Sequence, residues 1–131
     1  MHVAENTAHS SALEVRSGYV AVTNASHVVA EETVRAETLD HLAADVAKNF
    51  AIKIDVQGLE SRVLDGGSAA LARAAVLEME LILIDSYEGE TLAPALLERV
   101  FGLGFRLALV ENIGHDAEGG AIAFNGVFVR S

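Results

Sequence analysis

The stretch Ala51–Glu60, with the sequence AIKIDVQGLE, decides the fold class of this chain. Ile52, Ile54 and Val56 alternate with Lys53 and Asp55, the period-two pattern of a strand with one face in a core. Gly58 breaks that pattern, and Leu59, Val63 and Leu64 then recur at helical spacing. A strand turning directly into a helix is the building unit of α/β architecture. Ligands of open α/β sheets bind beyond the carboxyl ends of the strands. The alternation places Asp55 at one such end.

The neighbouring segments extend the pattern. Upstream, Leu39, Leu42, Ala43 and Val46 share one helical face, with Thr38 as a suitable N-cap. Downstream, the stripe after Gly58 ends at Gly66-Gly67, and Ser68 can cap an alanine-rich helix to about Ala75. Val76–Ile84 is the strongest strand, with Leu77, Met79, Leu81 and Leu83 on one face and Glu78, Glu80, Ile82 and Ile84 on the other. So apolar a run predicts a strand covered on both sides. After the polar loop Asp85–Glu90, Leu92, Leu96, Leu97, Val100 and Phe101 predict an amphipathic helix stopped by Gly102 and Gly104. Phe105–Val110 and Val127–Arg130 read as strands, separated by a loop holding Gly114, Gly119 and Gly120. No helical pattern lies between them, so they are expected to pair antiparallel. The first 36 residues read as short extended pieces, with Val20 and Val22 in one, Val28 and Val34 in another, and a turn at Asn24-Ala25-Ser26. Together these predict one α/β domain over residues 1–131, a mostly parallel sheet ending in an antiparallel hairpin.

Composition narrows the function. The 131 residues are 51% hydrophobic and 21% charged, enough apolar material for a core. Nineteen acidic residues face nine basic ones, a net charge of −10, which would repel a nucleic-acid backbone. No apolar run nears the ~18 residues of a membrane helix, and the first twenty residues lack the apolar stretch of a secretory leader. Cysteine is absent, which removes disulfides and thiolate metal sites. This composition suits a cytoplasmic protein that binds neither membrane nor nucleic acid.

The candidate chemistry is carboxylate chemistry. Asp55 stands at one strand end, Asp85 and Ser86 stand at the next, and Glu80 lies within its strand beside Glu78. Carboxylates in an apolar strand are costly to bury without partners. Either their face meets solvent and Asp55 caps the following helix, or they line a pocket as acid and base. Lys53 shares a face with Asp55 and could pair with it. Five histidines form no H-x-x-x-H or H-E-x-x-H pattern, and a metal could be held only through carboxylates such as Asp55 and Glu80. No G-x-S-x-G elbow or G-x-x-x-x-G-K loop is present.

Several pieces of the chain resemble a known family. Thr38-Leu39-Asp40-His41-Leu42, then Ile52–Glu60, then Val63-Leu64-Asp65-Gly66 resemble the "TLDDL … KIDVEGFE … VLKGA" signature of FkbM-type methyltransferases. Leu77-Glu78-Met79-Glu80, Gly104-Phe105 and Val127-Phe128-Val129-Arg130 resemble later family segments in the same order, and Asn6–Leu13 resembles an upstream "N…SSL" piece. The resemblance implies a Rossmann-like sheet and methyl transfer from S-adenosylmethionine to a hydroxyl of a sugar or small natural product. By position Asp55 matches the acid at the end of the family's fourth strand, close to the transferred methyl, and Glu80 the acid of the next strand; both are candidate catalytic residues, with Asp55 the candidate base. Lys53, Gln57 and Glu60 would bind the small-molecule acceptor, with Gln57 replacing the family's usual glutamate.

The family's glycine-rich cofactor loop and ribose-binding acid have no counterpart, because only Gly18 precedes Gly58. Val63–Ser68 looks like such a loop, but a helix C-cap followed by an N-cap accounts for its glycines. The expectation is therefore a methyltransferase sheet truncated at its N-terminus, with no cofactor-binding residue of its own and little binding of S-adenosylmethionine by this chain alone. The alternative is a non-catalytic interaction module built on the same half fold. Truncation would leave Ala51–Val56 as an open edge, covered by Leu13–Ala36 or paired with a second copy as a homodimer.

Overall fold

The computed structural model describes residues 1–19 and 27–130. The extended run expected from Val20 and the turn at Asn24-Ala25-Ser26 lie outside the described residues. Two short strands come first, β1 (His2–Ala4) and β2 (Val28–Glu31), with a single 3-10 turn at Thr7–His9. A one-turn helix α1 (Leu39–Leu42) leads to β3 (Ala51–Ile54), α2 (Glu60–Asp65), α3 (Ser68–Arg73) and β4 (Val76–Ile82). Helix α4 (Ala93–Gly102) and strands β5 (Phe105–His115) and β6 (Ala121–Arg130) complete the fold.

The main sheet has the order β3-β4-β6-β5. β3 and β4 are parallel, whereas β6 pairs antiparallel with both β4 and β5. The fold is thus mixed α/β, consistent with a methyltransferase-like fold. The sheet is mixed, so a mostly parallel sheet is not confirmed, while the last two strands do form an antiparallel hairpin. β6 runs against the other three strands and sits between two of them, leaving one parallel pairing out of three.

Strand alternation sets what is buried. Ile52 and Ile54 pair with Leu77 and Met79, and Leu77 in turn faces Phe128. These side chains form one core with Leu64 of α2, Leu71 of α3, and Leu96 and Val100 of α4. The other face carries Lys53, Glu78 and Glu80, all partly or fully solvent-accessible. β4 is therefore not covered on both sides as its apolar run suggested. Its glutamates face away from the helices, where water or a polar partner can reach them.

Three local readings change. The helix expected through Val46 stops after one turn, because the guanidinium of Arg73 takes the carbonyls of Ala43 and Val46. Thr38 does cap it, its Oγ1 accepting from His41 N at 3.2 Å. Ser68 is not an N-cap. Gly67 holds that position, and Asp40 accepts from Ala69 N (3.2 Å) and Ala70 N (2.7 Å) across thirty residues of sequence. The hairpin strands are longer than their apolar cores, so the loop shrinks to residues 116–120. Ladder pairing carries the strands through glycine and polar positions, with bulges between Leu107 and Leu109 and between Glu111 and Gly114.

Among the described residues no N-terminal strand pairs with β3. β2 pairs with β1 instead, and β3 remains an edge strand among the described residues. Residues 11–19 run over the strand-end loops: Val15 bridges to Tyr87, and Arg16 N donates to Ser86 O at 2.8 Å.

Candidate functional site

The turn from β3 into α2 carries the site. Its backbone is pinned by Glu60, only 2% exposed, whose Oε1 accepts from Val56 N (3.2 Å) and Gly58 N (3.3 Å). Gln57 adopts φ +51°, unusual for a residue with a side chain, and Gly58 follows at +97°. The buried Ser11 holds this conformation by donating its Oγ proton to Gln57 O at 2.7 Å.

Left-handed backbone at Gln57 turns its side chain back across the sheet rim. Gln57 Nε2 donates to Asp55 Oδ1 at 3.0 Å and to Glu80 Oε2 at 2.9 Å. Its Oε1 accepts from the hydroxyl of Tyr87 at 2.7 Å. Tyr87 is almost fully buried, and its ring lies 6.0 Å from that of Tyr19 at a tilt of 46°. Glu90 secures the Tyr87 loop, its Oε1 accepting from the backbone N–H of Ser86 and of Tyr87.

Burial and like charge set the protonation states. Glu80 titrates above the ordinary carboxylate range, first because it is desolvated and then because Asp55 and Glu60 are near; Gln57 and Lys53 oppose the rise. Desolvation also lifts Glu90, against its backbone hydrogen bonds. Burial pushes the Tyr87 phenol well above its usual value, with Tyr19 and Glu80 adding to it, so it stays a donor. Tyr19 is raised for the same first reason.

Of the residues expected to act, Asp55, Gln57 and Glu80 come together. Lys53 stands on the exposed face but pairs with Glu78 (3.1 Å) instead of Asp55, and that carboxylate raises its ammonium. Asp55 is exposed and does not cap α2, which has no side-chain cap. Glu60 points into its own turn. The sequence reading missed Tyr87, Tyr19, Ser11 and Glu90. The two tyrosines are the only ones in the chain, a signal in so aromatic-poor a sequence. Among the described residues, no group of three or more histidine, aspartate or glutamate side chains is placed to hold a metal ion.

The residues of this turn lie within a match to a recognised domain family. The family model described as the methyltransferase FkbM domain matches residues 1–107. This chain belongs to that family. No curated protein and no solved structure gives a match. The FkbM match spans every residue of the site, from Ser11 to Glu90, and ends inside β5.

The glycine turns on either side of α2 leave no open cradle for a methyl donor. A Cβ on Gly58 would lie 3.1 Å from both Leu13 and Tyr87, so protein already fills that space. A Cβ on Gly67 would lie 2.7 Å from Leu39. Gly66 is the C-cap of α2, as the sequence suggested, while Gly67 in place of Ser68 is the N-cap of α3. These turns do not fit S-adenosylmethionine.

Proposed function

We propose that this FkbM domain supplies the acceptor side of an O-methyltransferase, acting on a hydroxyl of a sugar or small natural product. The observation that carries this reading is the shared amide of Gln57, which joins Asp55, just past the carboxyl end of β3, to Glu80 within the adjacent parallel strand β4. β3 to β6 are then the second half of a Rossmann-like sheet. The methyl donor is S-adenosylmethionine by family, held by groups outside the described residues. Asp55 Oδ1 is taken by Gln57, while the residue is exposed and its second oxygen can accept the proton of an acceptor hydroxyl. Glu80, whose carboxyl is raised by burial and by Asp55, gives one oxygen to Gln57 and leaves the other to meet a second hydroxyl of the acceptor. Lys53 and Glu60 act at one remove. Lys53 is bound to Glu78, and Glu60 fixes the turn that presents Asp55.

The test is transfer of labelled methyl from S-adenosylmethionine to a panel of sugars and hydroxylated small molecules, by the chain purified in its native assembly. Transfer to oxygen that falls about 100-fold in Asp55→Asn supports the reading, in line with the usual worth of a positioned base. Transfer unchanged by that variant removes Asp55 from the mechanism.

A second reading, a non-catalytic interaction module, is favoured by the open β3 edge. It predicts no label transfer in any assembly and no micromolar S-adenosylmethionine binding by calorimetry. In its homodimer form it also predicts a dimer in sedimentation at micromolar concentration; a monomer would remove that form.

A further inference from the structure

We propose that Gln57 is the positioning residue of the site, holding Asp55 and Glu80 in one fixed relation through an amide whose orientation Tyr87 sets. This role rests on the acceptor-side reading of the same turn. Both hydrogens of Nε2 are committed, one to each carboxylate, and Oε1 receives the Tyr87 hydroxyl. An ionised carboxylate can only accept hydrogen bonds. Turning the amide over would set its oxygen against two acceptors and leave them without a donor. Tyr87 is buried and keeps its proton, so its only useful contribution is to donate to Oε1. The orientation of Gln57 is therefore fixed from both ends.

The backbone supports the same conclusion. Gln57 occupies a left-handed conformation that a side-chain-bearing residue adopts only when its surroundings compensate. Ser11 compensates at the carbonyl, and Glu60 pins the N–H groups on either side. Ser11, Glu80 and Tyr87 from distant parts of the chain thus join Asp55 of the same turn on one glutamine, whose flanking N–H groups Glu60 holds. The consequence is chemical. A neutral donor between two carboxylates holds them in one relation without a shared proton, and leaves Asp55 Oδ2 uncommitted to the amide. The charged and titratable groups facing Glu80 are Asp55 and Lys53 from β3 and its end, Glu60 from α2, and Tyr19 and Tyr87 from the strap and loop above. Among these neighbours, Gln57 donates to Glu80 directly.

The test is a carbon-detected carboxyl titration of the intact chain, following Glu80 and Asp55. Gln57→Leu keeps the volume but removes the amide. The Glu80 midpoint should rise by about one pH unit, because a donor to its charged form is lost. Tyr87→Phe should move Glu80 in the same direction by less, and the double variant should match Gln57→Leu alone. A Glu80 midpoint unmoved in folded Gln57→Leu overturns the proposal. So do effects of the two substitutions that simply add. Should Gln57→Leu fail to fold, Tyr87→Phe decides alone, since mere packing by the phenol ring would leave Glu80 unchanged. The readout needs no methyl transfer. A shifted titration with no transfer in any assembly would keep this proposal and remove the enzymatic reading. An unshifted one beside Asp55-dependent transfer would do the reverse.

Discussion

Glu60 holds the site's turn, and removing it should be felt first as lost stability. Its carboxylate is buried, and one oxygen accepts from two backbone N–H groups, of which Gly58 N is fully enclosed. In Glu60→Ala those donors have no replacement, and each buried unsatisfied group costs roughly 1–3 kcal/mol. Val56 N is part-buried and recovers some hydration. Relief of repulsion toward Glu80 returns a little more. A net loss of about 3 kcal/mol follows from these terms. With an unfolding entropy of roughly 2.1 cal/mol/K per residue, 131 residues give a Tm drop of about 11 °C. Glu60→Gln keeps an oxygen acceptor and removes a charge, so it should stay within about 1 kcal/mol of the parent. Glu60 is also one of the charges that raise Glu80, so Glu60→Gln should lower the Glu80 midpoint. Urea unfolding of the three proteins, with a thermal melt of each, is the assay. Glu60→Ala as stable as the parent, or Glu60→Gln as damaging as Glu60→Ala, would refute the role assigned to this carboxylate.

Glu80 makes stability depend on pH in a particular direction. Its folded-state pKa lies above the ordinary value, so the folded protein binds the proton more tightly than the unfolded chain does. That contribution is present below the unfolded pKa and fades as pH rises through the folded one. Melts across this window should show a decline that is shallower in Glu80→Gln. Asp40→Ala should cost about 1 kcal/mol in urea unfolding, because α3 loses the acceptor of its first N–H groups, while Asp40→Asn should largely retain it. Arg130 donates to the carbonyls of Ala74, Leu103 and Leu71 and lies over the ring of Phe105. A lysine cannot span those three acceptors, so Arg130→Lys should lose about 2 kcal/mol in the same assay.

Much of this was legible in the sequence. Alternation in Ala51–Val56 located Asp55, and the glycine after it announced the turn. The signature IKIDVQGLE carried the family. Glu60 was visible as part of that motif, but its work inside the turn was not, because a hydrogen bond back to Val56 N and Gly58 N depends on the path of the loop. Tyr87 was harder still. It meets Gln57 across thirty residues, and no spacing rule connects a tyrosine in one strand-end loop with a glutamine in another. The exposed face of β4 was misread because an apolar run shows that a strand is buried, not how many layers cover it.

By itself the sequence determined the local order of elements, the core faces of β3 and β4, the family, and the placing of one acid at a sheet rim. These follow from side-chain periodicity and turn chemistry, which act over a few residues. Only the tertiary structure decided that β6 enters between β4 and β5, that β3 keeps an open edge, and that Asp55, Glu80 and Tyr87 meet on one glutamine. Those outcomes depend on register and on contacts between distant segments, where backbone pairing and burial act over the whole chain at once.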